Sequence, residues 1–134
     1  MIDSHKALAL WEKALSSRWS KPPVWIHGDF TSGNILIKDG KLSGIIDFGG
    51  LGIGDPACDL VILWTFLEGK SREIFRRSIG LDTDTWTRAR GWALWKATFE
   101  LCQRNDKNDQ ASMTQQRIIN DVLDDTLTSQ GASG

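Results

Sequence analysis

No tyrosine occurs among the 134 residues, and there are only two cysteines, three prolines and two histidines. Each scarcity excludes something. Cys58 and Cys102 cannot build a disulfide framework, and four scattered Cys and His residues do not make a zinc knuckle. Long apolar runs are missing as well. The longest, Leu60 to Leu67, is eight residues and contains Thr65, against the ~18–20 needed to span a bilayer. Nor is there a surplus of positive charge. Sixteen basic residues face seventeen acidic ones, a net charge of -1, which argues against a nucleic-acid partner. The N-terminus, Met1-Ile2-Asp3-Ser4-His5-Lys6, lacks the basic-then-apolar pattern of a signal peptide. The expectation is a cytoplasmic chain in a reducing compartment, with neither membrane nor nucleic acid as partner.

What is present fits a soluble globular domain: 40% hydrophobic and 25% charged residues. The length suits a single domain, 1–134, which can hide roughly two-thirds of its unfolded surface. Three biases stand out. Seven tryptophans point first to packing. Thirteen Asp against four Glu favours caps, turns and metal ligation, where a short stem is useful. Eight of the thirteen glycines fall between Gly28 and Gly54, marking a run of tight turns.

Periodicity predicts a leading helix within 1–20. It runs from 4 to 18, with Leu8, Trp11 and Leu15 as its apolar stripe, Asp3 or Ser4 as cap, and Lys21-Pro22-Pro23 as stop. Val24 to Ile26 reads as a short strand. Ile35 to Lys38 and Leu42 to Asp47 flank Asp39-Gly40, a hairpin signal. Asp55-Pro56 is an N-cap followed by a first-turn proline, so a nearly all-apolar helix is expected from Pro56 to about Glu68, deep in the core. Three more helices follow: Ser71 to Ile79, closed by Gly80; Asp84 to Gln103, with Trp92, Trp95, Phe99 and Cys102 on one face; and Ala111 to Leu127. Residues 129–134 form a Gly/Ser tail expected to fray. The fold class is mainly α with a small β-hairpin region (α+β). Residues 24–60 carry the loops and hairpin, and 61–128 are helical.

Chemistry concentrates in 24–60. His27-Gly28-Asp29-Phe30-Thr31-Ser32-Gly33-Asn34 reads H-G-D-x-x-x-x-N. Ile46-Asp47-Phe48-Gly49 and Gly54-Asp55-Pro56 follow, with Asp59 four residues after Asp55. The phosphoryl-transfer template of protein kinases has an Asp and an Asn at that same separation, followed by D-F-G. A carboxylate at Asp29 can accept the proton of an acceptor hydroxyl. Asn34 and Asp47 supply one amide and one carboxylate oxygen, which suits Mg²⁺ that keeps waters and phosphates in its shell. Gly28 and Gly33 let the loop turn tightly enough to aim both side chains into one pocket.

On these residues the chain resembles the C-terminal lobe of the aminoglycoside phosphotransferase and choline-kinase-like family, relatives of protein kinases. The resemblance implies the C-terminal lobe of a protein-kinase-like fold. Its activity would be ATP- and Mg²⁺-dependent phosphorylation of a hydroxyl on a small molecule. It implies Asp29 as catalytic base and Asn34 and Asp47 as metal ligands. His27, Gly28, Asp55 and Asp59 would support the site, and the acceptor-binding residues carry no signature. Members of the family cover ATP with an N-terminal lobe containing a β-sheet, a phosphate-covering loop and a strand lysine. Here the 26 residues before His27 read as one helix and a proline turn, so the chain alone is expected to be inactive or a poor kinase. A missing N-lobe or a second copy, giving a homodimer, would cover the surface left bare.

Other readings compete. Taken singly, His27 is a structural histidine, Asp55 a cap, and Asp59 either a buried tie to the catalytic loop or part of a solvated helix face. The acids Asp106, Asp109, Asp121, Asp124 and Asp125 could attract a cationic acceptor, but a solvated face is the favoured reading. Gly52-Ile53-Gly54-Asp55-Pro56-Ala57 fits a dinucleotide fingerprint in form. Asp55 would stand where the pyrophosphate belongs, and there is no βαβ repeat, so that reading is rejected. The remaining alternative is a non-catalytic interaction or self-associating module derived from such a kinase.

Overall fold

A computed structural model describes residues 1–126; the expected tail at 129–134 and the last residue of the expected final helix, Leu127, lie outside the described residues. Aspartate caps start three of the helices. Helix α1 (Ser4–Leu15) begins where the Asp3 carboxylate accepts from the backbone N–H groups of His5 and Lys6 at 3.1 and 3.0 Å. Helix α1 stops at Leu15, three residues short of the expected end. Strand β1 (Val24–Ile26) follows, then the hairpin of β2 (Ile35–Lys38) and β3 (Lys41–Ile45). Asp39 at φ 52° and Gly40 at φ 72° make its turn. The second strand ends at Ile45 rather than Asp47, because Asp47 turns out of the ladder.

Strand β4 (Gly52–Gly54) pairs antiparallel with β1, so the described residues hold two separate two-stranded sheets. Residues 56–68 depart from the expected single helix. Pro56–Val61 form a 3₁₀ segment, and only Ile62–Thr65 (α2) are α-helical. The expectation of depth holds as far as Trp64, since Ala57, Leu60, Val61, Ile62, Leu63 and Trp64 are buried, while Phe66 and Glu68 are exposed. Helix α3 (Lys70–Ile79) ends on Gly80, whose left-handed backbone (φ 61°) donates to the Arg76 carbonyl. Helices α4 (Thr83–Cys102) and α5 (Gln110–Asp124) are capped by Asp82 and Asp109, which accept from Thr85 and Ser112 N–H at 2.8 and 2.6 Å.

Helix α4 is the central element, packed by α1, by α5 and by the 3₁₀ segment. Trp86, Ala89, Ala93, Leu94 and Ala97 meet Leu10, Trp64, Ile118, Ile119 and Val122 there. Burying each large side chain of this set contributes about 1.5–3 kcal/mol before entropy is charged against it. Close approach of α1 to α4 depends on Gly91, where an added Cβ would stand 2.6 Å from the Ala14 Cβ. One expectation about faces is corrected and one holds. In α1 the buried residues are Leu10 and Ala14, while the stripe of Leu8, Trp11 and Leu15 is exposed. In α4, Trp92, Trp95 and Phe99 do share a face, with Trp95 stacked on Phe99 at 5.8 Å and edge-on to Trp92. That face, together with Cys102, is open to solvent.

Among the described residues no helix is long and apolar enough to cross a membrane.

Candidate functional site

The loop between β1 and β2 is held from below. The Asp59 carboxylate accepts from the His27 N–H (2.7 Å) and the Gly28 N–H (3.0 Å), one oxygen for each. Two parallel backbone donors on one carboxylate fix the loop's entry as a unit. Gly28 sits at φ +89°, and a Cβ there would collide with the Gly50 carbonyl, so the glycine-rich segment 49–54 and the loop can lie flush only with glycine.

His27 is buried and makes two ring hydrogen bonds. Its Nδ1 accepts from the Asp29 N–H (3.1 Å), and its Nε2 lies 2.8 Å from the Ile46 carbonyl. A carbonyl only accepts and an N–H only donates, so the pair selects the tautomer protonated on Nε2. Phe48 packs against the ring at a centroid separation of 4.7 Å. His27 thus joins the Asp29 loop to the Asp47 turn without facing a substrate.

Asp29 is exposed, and both its carboxylate oxygens have neighbours. Asn34 Nδ2 donates to the Asp29 carbonyl (2.8 Å) and to Oδ2 (3.2 Å), and Lys96 Nζ lies 3.5 Å from Oδ1. Because the amide nitrogen of Asn34 is used, its oxygen remains for another ligand. The Ile46 N–H donates to the Asn34 carbonyl at 2.9 Å, and Ile35 pairs with Ile45. The hairpin therefore returns Asp47 to the neighbourhood of Asn34. Asp47 has a left-handed backbone (φ 60°, ψ 66°) and an exposed side chain, which among the described residues has no hydrogen-bond or ion-pair partner. A non-glycine residue there is uncommon, and such strain gathers at functional sites.

One amide oxygen and one unpartnered carboxylate are hard oxygen donors, the chemistry a Mg²⁺ ion accepts. The donor set fits such an ion when substrate phosphates complete its shell. Among the described residues no three His, Cys, Asp or Glu side chains gather to hold a metal by themselves.

Asp55 does two things. Oδ1 accepts from the Ala57 N–H at 3.0 Å, and Oδ2 takes a 2.7 Å hydrogen bond from Arg88 Nε. Arg88 is 8% exposed and also donates to Ser17 Oγ (2.9 Å) and Thr85 Oγ1 (3.1 Å), tying the segment after the site to α4 and the end of α1. Breaking such a buried pair by removing one partner costs about 3–5 kcal/mol. Cys58, between Asp55 and Asp59, has its thiol pushed up to about 11, by burial first and then by the two carboxylates. Sequence reasoning missed Arg88 and Lys96. Both come from α4, and no local spacing links them to residues 29–55.

The five acids near the C-terminus have other employment. Asp109 caps α5, and Asp106 accepts from the Asn108 N–H. Asp121 pairs with Arg72 and Arg117, Asp124 with Lys6, and Asp125 with Arg76 and the Trp64 indole.

The sequence profile of the phosphotransferase enzyme family matches residues 3–92. An aminoglycoside 3'-phosphotransferase from Escherichia coli is 52% identical over 46 residues, which are 34% of this chain and 17% of that protein. One from Salmonella typhimurium is 42% identical over 59 residues, 44% of this chain and 22% of that one. The matches thus span less than a quarter of the length of these relatives. Among solved structures, a thermostable mutant of aminoglycoside phosphotransferase APH(4)-Ia, in complex with AMP-PNP and hygromycin B, superposes with a TM-score of 0.58 at 20% identity. The superposition covers 97% of this chain and 44% of that one. APH(4)-Ia without the mutation gives 0.57 at 18% identity, over 97% and 43%. The mostly helical architecture with small antiparallel sheets is that of the C-terminal lobe of these kinase-like proteins.

Proposed function

The chain belongs to the phosphotransferase enzyme family, and from that premise we propose that it is the catalytic lobe of an ATP- and Mg²⁺-dependent kinase of small-molecule hydroxyls. The observation that carries this reading is the arrangement of three residues. Asn34 is clamped to Asp29 through its amide nitrogen, and a partnerless Asp47 is held in strained backbone beside it.

In this reading Asp29 accepts the proton as the acceptor oxygen forms its bond to the γ-phosphorus, the bond to the ADP oxygen breaks, and ADP leaves. Asn34 and Asp47 hold Mg²⁺. When bound, that ion offsets the charge on the phosphate oxygens. Asp59, Gly28 and His27 keep the loop in place, and Asp55 anchors it to α4 through Arg88. The relatives' names place aminoglycosides among the acceptors to be tried. Among the described residues no glycine-rich phosphate loop and no sheet of more than two strands precede Asp29. The lobe by itself is therefore expected to transfer phosphate poorly.

The bare apolar face of α1 and α4 favours a second reading, a module that associates with another chain or with its own copy. Calorimetric titration of Mg²⁺-ATP into the chain, with Asp47→Asn alongside, separates the two. Binding that weakens at least tenfold in Asp47→Asn supports the kinase lobe. Equal heats from both proteins, or none from either, would leave the association module as the better account.

A further inference from the structure

Beside Asp29 lies a cavity of about 290 Å³ whose walls include Phe30, Val61, Trp92 and Trp95, with Lys96 at its edge. That volume suits one or two six-membered rings. Its lining is mostly apolar and aromatic, with the Cys58 thiol and two charged groups, the Asp29 carboxylate and the Lys96 ammonium, which stand 3.5 Å apart. The two charges cancel, so the cavity offers no net attraction to a cation, and Lys96 repels an ammonium brought close to Asp29.

Of the other acids, Asp47 is assigned to Mg²⁺ in this reading, and four more are already paired. Asp55 is taken by Arg88, and Asp121, Asp124 and Asp125 are paired with Arg72, Lys6 and Arg76. Trp92 and Trp95 are 46% and 48% exposed, in an edge-on pair. The rings stand at a right angle, and Trp95 already stacks on Phe99, so together they form an apolar corner against which a ligand ring can pack.

On the kinase-lobe reading above, we propose that the acceptor is an uncharged hydroxyl compound with an apolar face, lying in the corner between Trp92 and Trp95 with its hydroxyl towards Asp29. Lys96 acts as a specificity-determining residue that turns polycationic acceptors away. It also leaves Asp29 oriented, since Asn34 holds Oδ2 while Lys96 faces Oδ1.

The test is direct binding, which needs no nucleotide, so its outcome is separate from that of the Mg²⁺-ATP titration. Phenyl β-D-glucoside serves as the neutral aromatic glycoside and hygromycin B as the cationic aminoglycoside. Each is titrated into the wild-type chain, Trp95→Ala, Lys96→Gln and Lys96→Glu, with circular dichroism checking that every variant is folded. The wild type is expected to bind the glucoside and to bind hygromycin B at least tenfold more weakly. Trp95→Ala should lose glucoside affinity about tenfold. Lys96→Glu should gain hygromycin B affinity by a similar factor, with Lys96→Gln in between. Because Lys96 is partly exposed, these last two variants also stand if Trp95→Ala fails to fold. The proposal is overturned if wild type prefers hygromycin B, if it binds neither probe, or if charge reversal at Lys96 leaves the preference unchanged.

Discussion

Cys58 shows how far a residue's chemistry depends on its position. It sits under the candidate site, flanked by Asp55 and Asp59, and burial followed by those two charges raises its thiol to about 11. At pH 8 only about one such thiol in a thousand is ionised, and the thiolate is the nucleophile. Iodoacetamide should therefore label the exposed Cys102 first. The Cys58 rate should climb about tenfold per pH unit until near 11, as followed by mass spectrometry. A Cys58 rate that levels off near pH 9 would contradict the placement between two carboxylates. Asp29, Asn34 and Asp47 could be singled out as candidates at this scale because their spacing is local, and the structure places the Asn34 amide against Asp29. The Asp47 strain, the histidine tautomer and the Lys96 neighbour were not, since each depends on a backbone angle or on a residue far away in sequence.

At the scale of elements, caps were the legible feature. Asp3 and the Gly80 stop stood out in sequence because a helix end is satisfied within three or four residues. Faces were harder. The period of α1 fits either Leu8, Trp11 and Leu15 or Leu10 and Ala14, and the small Ala14 was chosen because Gly91 lies opposite. Likewise β4 escaped notice: Gly-Ile-Gly has little strand preference, and β1 supplies its order by pairing. In Gly91→Ala the helix gains about 1 kcal/mol of propensity. The new methyl must nevertheless push Ala14 away from 2.6 Å, an overpacking cost of about 1–3 kcal/mol. A net loss in stability is expected by urea unfolding, and Gly91→Ala with Ala14→Gly should recover most of it. If Gly91→Ala alone proved stabilising, the α1–α4 contact would not be as tight as described.

For the whole molecule, three of the long helices begin on an aspartate, which couples their stability to acid. Hydrogen bonds from Lys6 N–H lower the Asp3 carboxyl, and those from Ser112 do the same for Asp109. At Asp82 burial pushes upward, but the Thr85 N–H and hydroxyl, with the Lys21 and Arg88 charges, turn the net direction down. With folded values below the unfolded one, the unfolded chain binds more protons in the window between them. Stability therefore rises with pH there: the caps' contribution is complete above the unfolded value and is lost as pH falls through the folded ones, below about 4. Serine keeps a cap oxygen for the backbone N–H but does not titrate. Replacing Asp3, Asp82 and Asp109 by serine should therefore leave a folded protein whose urea midpoint falls less steeply with acid than the wild type's. Identical slopes would mean that the caps do not carry the acid response. The ion pairs Arg72–Asp121 and Arg76–Asp125 fasten α5 to α3. The caps act earlier in the chain as well, on α1 and α4. Helix α4 carries both Arg88, which anchors Asp55, and Lys96, which faces Asp29. Fraying its start would loosen Arg88 first, so if the proposed kinase-lobe reading holds, Mg²⁺-ATP affinity should decline in acid alongside the loss of helix, measured on the same samples.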